Sequence, residues 1–113
     1  MTRNLLAEYA RLLTVDTLAC AQLFAQDAEY RTRLGSHDLA LHGRAQIQRF
    51  LAHVPRQVSF RAGPCVRVGR DYRGEVQVRG EGLKPRAHTV RYSVAEGLIT
   101  RFEILIEPAP VLS

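Results

Sequence analysis

Four side chains of this sequence have the type and spacing to act on a small molecule: Tyr9, Tyr30, Thr32 and His37. Tyr9 lies on the apolar face of a predicted helix, where its hydroxyl is either a core group bonded to a neighbour or a donor inside a pocket. Tyr30 and Thr32 share one face of a predicted strand. A threonine hydroxyl can position water but cannot act as a base at neutral pH. If the chain is an enzyme, the base would have to be an imidazole, and His37, in a predicted loop, is the first candidate.

The other three histidines, His42, His53 and His88, have no evident partner in the sequence that would make them catalytic. His42 belongs to a predicted helix start, and each of the three is predicted to have a structural or surface role. No Ser-His-Asp order, glycine-rich phosphate loop or metal-ligand spacing is present. The sequence therefore predicts no cofactor and no metal site.

The N-terminal half predicts the elements that position these side chains. Asn4 can cap a first helix, and Asp16 or Thr17 can cap a second one that runs to Ala28. The period then changes from helical to two at residues 30–34, which predicts a short strand and a loop after it. A third helix begins after His42 and ends at Pro55, since proline cannot continue it.

The C-terminal half predicts four antiparallel strands, at 57–68, 71–80, 86–95 and 98–107. Helices followed by a meander of strands predict an α+β fold with the helices on one face of a curved sheet. No repeat, linker or second core is present, so residues 1–113 are expected to form one domain.

The last hairpin predicts which residues share a sheet face. Glu96 and Gly97 are expected to form a two-residue turn, because glycine tolerates positive φ. This register pairs Arg91 with Phe102. It also pairs Thr89 with Ile104 on the same face. The opposite face would carry His88, Val90, Tyr92, Val94, Ile99, Arg101, Glu103 and Leu105. This second face is half apolar, and it predicts a homodimer through the outer side of the sheet.

Composition limits the classes of partner and the location. The 113 residues are 46% hydrophobic, and no apolar run approaches the roughly 20 residues that cross a membrane. The first residues lack the apolar region of a signal peptide, so a cytoplasmic location is expected. Cys20 and Cys65 are predicted to be small core residues rather than a disulfide or metal pair.

The net charge of +5 comes with scattered arginines. Fifteen arginines extend from Arg3 to Arg101 without forming a block, and no aromatic motif is interleaved with them. This distribution argues against nucleic-acid binding, which uses clustered basic residues. The arginines favour an anionic small ligand over nucleic acid, because arginine binds carboxylate or phosphate through two hydrogen bonds.

Three stretches resemble the cone-shaped nuclear transport factor 2-like superfamily, which includes ketosteroid isomerases, limonene epoxide hydrolases and SnoaL-like polyketide cyclases. Residues 23–30, LFAQDAEY, resemble the end of a helix in that superfamily. Residues 42–44, HGR, with Ile47 and Phe50 resemble its next helix start, and residues 96–102, EGLITRF, resemble the hairpin before its last strand. The resemblance covers nearly the whole chain and implies about three helices on a strongly curved, mostly antiparallel sheet.

The resemblance also implies a mostly apolar cavity and roles for its residues. In ketosteroid isomerases a tyrosine and a protonated carboxyl group hold an enolate while a carboxylate moves the proton. These three positions match Tyr9, Thr89 and Thr32, and neither threonine can replace a carboxylate. The catalytic candidates are therefore Tyr9, Thr32 and His37. The ligand-binding candidates are Tyr30, Phe50, Thr89, Arg91, Phe102 and Ile104.

In limonene epoxide hydrolases a tyrosine and an asparagine hold a water molecule that an Asp-Arg-Asp set activates. This chain keeps Tyr30 but has Thr32 in place of the asparagine and Ile104 in place of the second acid. Arg79 and Glu81 are candidates for the arginine and the first acid. The sequence thus predicts a protein that binds a small hydrophobic molecule, with an anionic one favoured by the arginines. An isomerase or cyclase acting by proton transfer, a non-catalytic binding module and an epoxide hydrolase-like enzyme all stay open.

Overall fold

The computed structural model describes residues 4–34, 37–54, 57–80, 82 and 86–105. It has three helices, α1 (Leu5–Leu12), α2 (Thr17–Ala21) and α3 (Arg44–Leu51). Its six strands are β1 (Phe24–Leu34), β2 (His37–His42), β3 (Val58–Val68), β4 (Asp71–Gly80), β5 (Arg86–Ala95) and β6 (Leu98–Leu105). The predicted α+β class is confirmed. The predicted helix stop at Pro55, the acid candidate Glu81 and the last two residues of the strand 98–107 lie outside the described residues.

The first two helices begin where the capping residues predict. Asn4 Oδ1 accepts a hydrogen bond of 3.0 Å from the backbone N–H of Ala7, and Asp16 Oδ1 accepts one of 3.0 Å from that of Ala19. Each bond satisfies an N–H that has no partner inside the helix. Among the described residues no helix is long and apolar enough to cross a membrane.

The predicted extension of α2 to Ala28 is wrong, because α2 ends at Ala21 and Phe24 already belongs to β1. The backbone N–H of Ile99 donates to the carbonyl of Leu23 at 2.8 Å, and Phe24 pairs with Ile99 in the parallel β1–β6 ladder. Backbone groups that a longer helix would have bonded internally are therefore hydrogen-bonded to a distant strand, β6. Phe24 still points into the core, but as a strand residue.

The segment predicted as a loop before α3 is the strand β2, which pairs antiparallel with β1. Leu41 lies opposite Tyr30, and Leu39 lies opposite Thr32. The alternation of leucines with polar residues in HDLALH is the strand signal that the loop prediction missed. His37 is therefore the exposed first residue of a strand and not part of a loop.

The sheet has the order β2-β1-β6-β5-β4-β3, antiparallel except where β1 meets β6. It is curved and not closed, with α1 packed against β3 and α3 against β1. The helix-facing side of the sheet is here named the inner face, and the other side the outer face. The core lies between the helices and the inner face.

The β5–β6 hairpin has the predicted turn but not the predicted register. Glu96 and Gly97 have φ of 54° and 78°, as a two-residue hairpin turn requires. A bulge at Thr100 then shifts the ladder by one residue, so Tyr92 pairs with Phe102 and Arg91 with Glu103. The predicted pairing of Arg91 with Phe102 and of Thr89 with Ile104 is wrong.

Because of the bulge, the predicted dimer surface is also wrong. Val90, Tyr92 and Ile99 were expected on the outer face, but their exposed fractions are 1%, 3% and 0%. All three pack in the core beneath the helices. The outer face instead carries the residues that alternate with them on β5, including Thr89 and Arg91.

Gly74→Ala is expected to lower the free energy of unfolding by about 1–2 kcal/mol, because the added β-carbon would lie 2.6 Å from Leu6 Cδ2 and 3.2 Å from the Pro64 carbonyl. Leu6 is fully buried and has little room to move. Urea denaturation measures the change. Gly63→Ala is the matched control, since its β-carbon would meet Glu75 at an ordinary 3.6 Å. Equal losses in the two variants would contradict this packing of α1 on the sheet.

Candidate ligand-binding site

The centre of the inner face is filled by five rings, here named the aromatic cluster: Tyr9, Phe24, Tyr30, Tyr92 and Phe102. Phe102 lies in the middle, with its ring centroid 4.6 Å from that of Tyr9, 5.2 Å from Tyr30, 5.6 Å from Phe24 and 6.2 Å from Tyr92. Its exposed fraction is 0%. Close aromatic pairs of this kind add about 0.5–1.5 kcal/mol each beyond the area they bury. Protein side chains, rather than open space, therefore surround Phe102.

Tyr9 and Tyr30 meet inside this cluster. Their hydroxyl oxygens are 2.7 Å apart, which is a hydrogen bond between two buried groups. Burial raises the pKa of both tyrosines, so both hydroxyls stay protonated at neutral pH. Among the described residues no polar or charged residue other than tyrosine is buried, so the cluster holds no carboxylate or imidazole base.

Four half-buried residues continue the inner face beyond the cluster and are here named the cone mouth: Thr32, Phe50, His88 and Ile104. Thr32 follows Tyr30 by two residues on β1, and Ile104 follows Phe102 by two residues on β6. The Phe50 ring lies 5.6 Å from that of Tyr30. His88 lies opposite Val76 on the neighbouring strand.

His88 is the only residue of the cone mouth that titrates. Its burial, and then the nearby charge of Arg86, lower its pKa below the usual value for histidine. Both causes disfavour the charged form. The imidazole is therefore neutral at pH 7 and able to accept a proton.

A concavity lies beside the cone mouth, between α3 and β2. Its volume is about 370 Å³, and its lining side chains are Leu41, Gln46, Arg49, Phe50 and His53. Leu41 lies opposite Tyr30 in the β1–β2 ladder, so the floor of this groove rests on the aromatic cluster. We refer to it as the α3–β2 groove.

The predicted inner-face positions of Thr89 and Arg91 are wrong, since both lie on the outer face. Asp71 Oδ2 accepts hydrogen bonds from Arg91 Nε at 2.9 Å and from Nη2 at 2.8 Å. Asp71 Oδ1 accepts a third bond from Ser93 Oγ at 2.6 Å. Arg91 is thus occupied by a surface carboxylate and does not line the cone.

Comparison with known proteins identifies the fold of this chain but not its activity. The sequence matches no protein-family profile and no curated protein. Solved structures do match. A protein from Kribbella flavida, provisionally assigned as a ketosteroid isomerase, is 23% identical with a TM-score of 0.73, over 94% of this chain and 80% of that one. The chain has the nuclear transport factor 2-like fold.

Two further structures share the nuclear transport factor 2-like fold at 21% identity and a TM-score of 0.74 each. One is a protein from Sinorhizobium meliloti provisionally assigned as a polyketide cyclase, matched over 92% of this chain and 95% of that one. The other is a protein with a ketosteroid isomerase-like fold from Catenulispora acidiphila, in complex with trimethylamine, matched over 99% of this chain and 92% of that one. At these identities the likeness establishes the architecture and leaves the activity open.

Within this fold, the structure brings together some of the predicted site residues. Tyr9, Tyr30 and Phe102 meet in the aromatic cluster, and Thr32, Phe50 and Ile104 line the cone mouth. His37 is exposed at the start of β2. It belongs to a strand, so its predicted placement in a loop is wrong.

Sequence reasoning missed His88, Asp71 and Ser93. His88 was placed on the outer face because the hairpin register omitted the bulge. A signal was present in the sequence, because Ile99 and Phe102 are both apolar but three residues apart, a spacing that a regular strand cannot place on one face.

The two cysteines are free thiols. Cys20 is fully buried as predicted, and its Sγ lies 3.7 Å from the carbonyl of Tyr9. Burial raises the pKa of Cys20 to about 12, so it remains protonated. Cys65 is half-buried with its Sγ 3.3 Å from the Tyr92 hydroxyl. No group of three His, Cys, Asp or Glu side chains that could hold a metal ion occurs in the described part of the chain.

Asp71→Asn tests the outer-face contact through its pH dependence. The hydrogen bond from Ser93, and then that from Arg91, lower the pKa of Asp71. The carboxylate therefore stabilises the fold above the ordinary aspartate pKa of about 4, and this contribution is lost as the pH falls through the lowered pKa. The variant is expected to unfold at lower urea than the wild type at pH 7, with a difference that shrinks below about pH 4. Asp27→Asn, at an exposed position of β1, is the control, and the same pH dependence in both variants would contradict the assignment.

Proposed function

We propose that this chain is a cytoplasmic protein that binds a small, mostly apolar molecule at the cone mouth without transforming it. The observation that carries this proposal is the contrast between two parts of the inner face. The aromatic cluster is sealed, with its tyrosine hydroxyls bonded to each other. The cone mouth beyond it exposes apolar surface with a few polar groups, the composition that is typical of ligand sites.

A ligand complex is known for one structure that shares this fold. The Catenulispora acidiphila protein, which shares the architecture, was solved in complex with trimethylamine. The unpaired thiols Cys20 and Cys65 favour a reducing compartment such as the cytoplasm.

Catalysis of the ketosteroid isomerase type is disfavoured by the residues at the site. That chemistry needs a base to move a proton between carbon atoms and donors to hold the enolate. Thr32 stands at the position where those isomerases have their base, and Thr89 lies on the outer face. Thr32 is therefore assigned an orienting role, through a hydrogen bond to the ligand or to water.

His88 supports a second candidate, an isomerase or cyclase that acts by proton transfer. It lies on the inner face, half-buried, and its lowered pKa keeps the imidazole neutral. A neutral imidazole that is half-buried among apolar side chains is a competent general base. The single base without a described carboxylate partner makes this the weaker candidate.

Titration with a bicyclic β,γ-unsaturated ketone and with its conjugated isomer distinguishes the binding protein from the isomerase or cyclase. For a binding protein, both ketones shift the backbone amide resonances of Thr32, His88 and Ile104, and isomerisation stays at the buffer rate. Thr32→Val is expected to weaken binding about fivefold, the effect of one hydrogen bond of about 1 kcal/mol. His37→Ala is the control and should bind as the wild type does.

Two outcomes would change the assignment. Turnover above the buffer rate that His88→Gln abolishes would establish the second candidate. Absence of any shift at millimolar concentrations of both ketones would overturn the proposal that the cone mouth is a ligand site.

We further propose that the protein is a homodimer through the outer face, at residues other than those first expected. Val66 and Val68 are exposed there by 58% and 52%, beside the ion pair of Asp71 with Arg91. Exposed apolar side chains beside charges of both signs can meet their own copy across a two-fold axis. Val66→Asp is expected to shift sedimentation at micromolar concentration from dimer to monomer. A 12.7 kDa species for the wild type would overturn this proposal.

A further inference from the structure

We propose that the α3–β2 groove binds the carboxylate of a small apolar acid, with the apolar body on Phe50 and Leu41 and the carboxylate at Arg49. This inference deepens the proposed function, on which it rests, by naming the class of ligand and the place where its charged group lies.

The floor of the groove is apolar and firmly supported. Phe50 and Leu41 are half-buried, so each presents part of its side chain to the groove. Tyr30 is a neighbour of both, through the ring contact with Phe50 and the strand pairing with Leu41. A flat hydrophobic ligand would cover the remaining exposed surface of both side chains without disturbing the core.

The rim of the groove is rich in hydrogen-bond donors. Arg49 uses Nε for a 3.5 Å contact with the carbonyl of Ala45, which leaves its two terminal amino groups to bind a ligand. Gln46 Oε1 accepts from the backbone N–H of His42 at 3.0 Å, so its amide NH₂ group is still able to donate. These donors flank the apolar floor on the side of α3.

His53 completes the rim. Its Nδ1 lies 2.7 Å from the carbonyl of Arg49, and because a carbonyl can only accept, Nδ1 carries a hydrogen. This bond fixes the ring against the last turn of α3 and leaves Nε2 for the ligand. The imidazole thereby also orients the segment that carries Arg49.

The charge of the groove selects an anion. Among the described residues that line it, Arg49 is a cation and none is a carboxylate. The smaller cavity on the outer face differs, since Asp71 and Glu103 there balance Arg91 and Arg101. Of these two concavities, only the α3–β2 groove carries an arginine that no lining carboxylate neutralises, and a guanidinium binds a carboxylate through two parallel hydrogen bonds.

The groove has room for a ligand of this class. Its volume of about 370 Å³ falls in the range of small-molecule sites, roughly 300–1,000 Å³. A bicyclic aromatic acid such as 2-naphthoate can place its rings on Phe50 and Leu41 while its carboxylate reaches Arg49.

The test compares 2-naphthoate with the neutral 2-naphthalenemethanol, which has the same rings. Binding is measured by titration of backbone amide resonances of the full chain. The wild type is expected to bind the carboxylate at least tenfold more tightly than the alcohol, with shifts at Leu41, Gln46 and Phe50. Arg49→Gln is expected to remove most of that preference. Arg11→Gln makes the same charge change at an exposed site on α1 and should leave the preference intact.

Equal affinities of the wild type for the acid and the alcohol would overturn the inference without reference to any variant. Equal weakening in Arg49→Gln and Arg11→Gln would overturn it as well, because only overall charge would then matter. If naphthoate shifts Thr32, His88 and Ile104 but not the groove, the inference fails while the proposed function stands. If neither this acid, nor the alcohol, nor the two ketones bind, both fail.

Discussion

Phe102→Ala is expected to lower the free energy of unfolding by about 3–5 kcal/mol, the usual range for removing a fully buried phenylalanine ring. The ring stacks on Tyr30 at an interplanar angle of 11° and contacts three further rings of the aromatic cluster. The partner rings are held by both α1 and β1, so they cannot all collapse into the vacated space. A loss of this size is a large part of the roughly 5–15 kcal/mol that stabilises a domain.

Urea denaturation followed by far-ultraviolet circular dichroism measures this loss. Leu18→Ala is the control, because Leu18 is 54% exposed and its truncation should cost less than about 1 kcal/mol. If Phe102→Ala does not fold, Phe102→Leu keeps the test available with an expected loss of about 1–3 kcal/mol. A Phe102→Ala loss no larger than that of Leu18→Ala would mean that the cone interior is open space rather than packed rings.

Local signals in the sequence predicted the beginnings of the first two helices and the spans of the middle strands of the C-terminal half well. Asn4 and Asp16 cap as expected, because a capping bond depends on only three or four consecutive residues. The strands 71–80 and 86–95 were predicted with the bounds that the structure has. Gly97 at positive φ also sets a turn by itself, without help from distant residues.

Errors arose where distant segments decide the local structure. Phe24 fits a helical face, but pairing with Ile99, far along the chain, makes it a strand residue. β2 was read as a loop because its partner β1 was itself predicted too short. The parallel pairing of β1 with β6 joins segments that are far apart in the sequence, and no local pattern predicts it.

The site was harder to predict than the fold because side-chain direction alternates with every residue. The single extra residue at Thr100 moves Arg91 from the inner to the outer face and brings His88 inward. Tyr9 and Tyr30 escaped this error, since neither lies in the bulged hairpin. Their contact follows instead from the packing of α1 on the sheet.

Tyr9→Phe and Tyr30→Phe are each expected to lower the free energy of unfolding by about 1–3 kcal/mol, because each variant leaves the other hydroxyl buried without its partner. The double variant is expected to lose little more than either single variant, since it has no orphaned hydroxyl. Denaturation of the four proteins yields the coupling energy of the pair. Tyr72→Phe is the control, since Tyr72 is only half-buried and stacks on Tyr92 through its ring.

The size of the coupling energy distinguishes the two roles that the sequence leaves open for Tyr9. Strong coupling means that the two hydroxyls satisfy each other and that the tyrosines close the bottom of the cone as core residues. Additive losses would contradict the mutual bond, because removal of one hydroxyl would then leave the other unaffected. In that case both hydroxyls would be available as donors for a ligand that reaches past Phe50. The proposed binding site would then extend inward from the cone mouth to Tyr30.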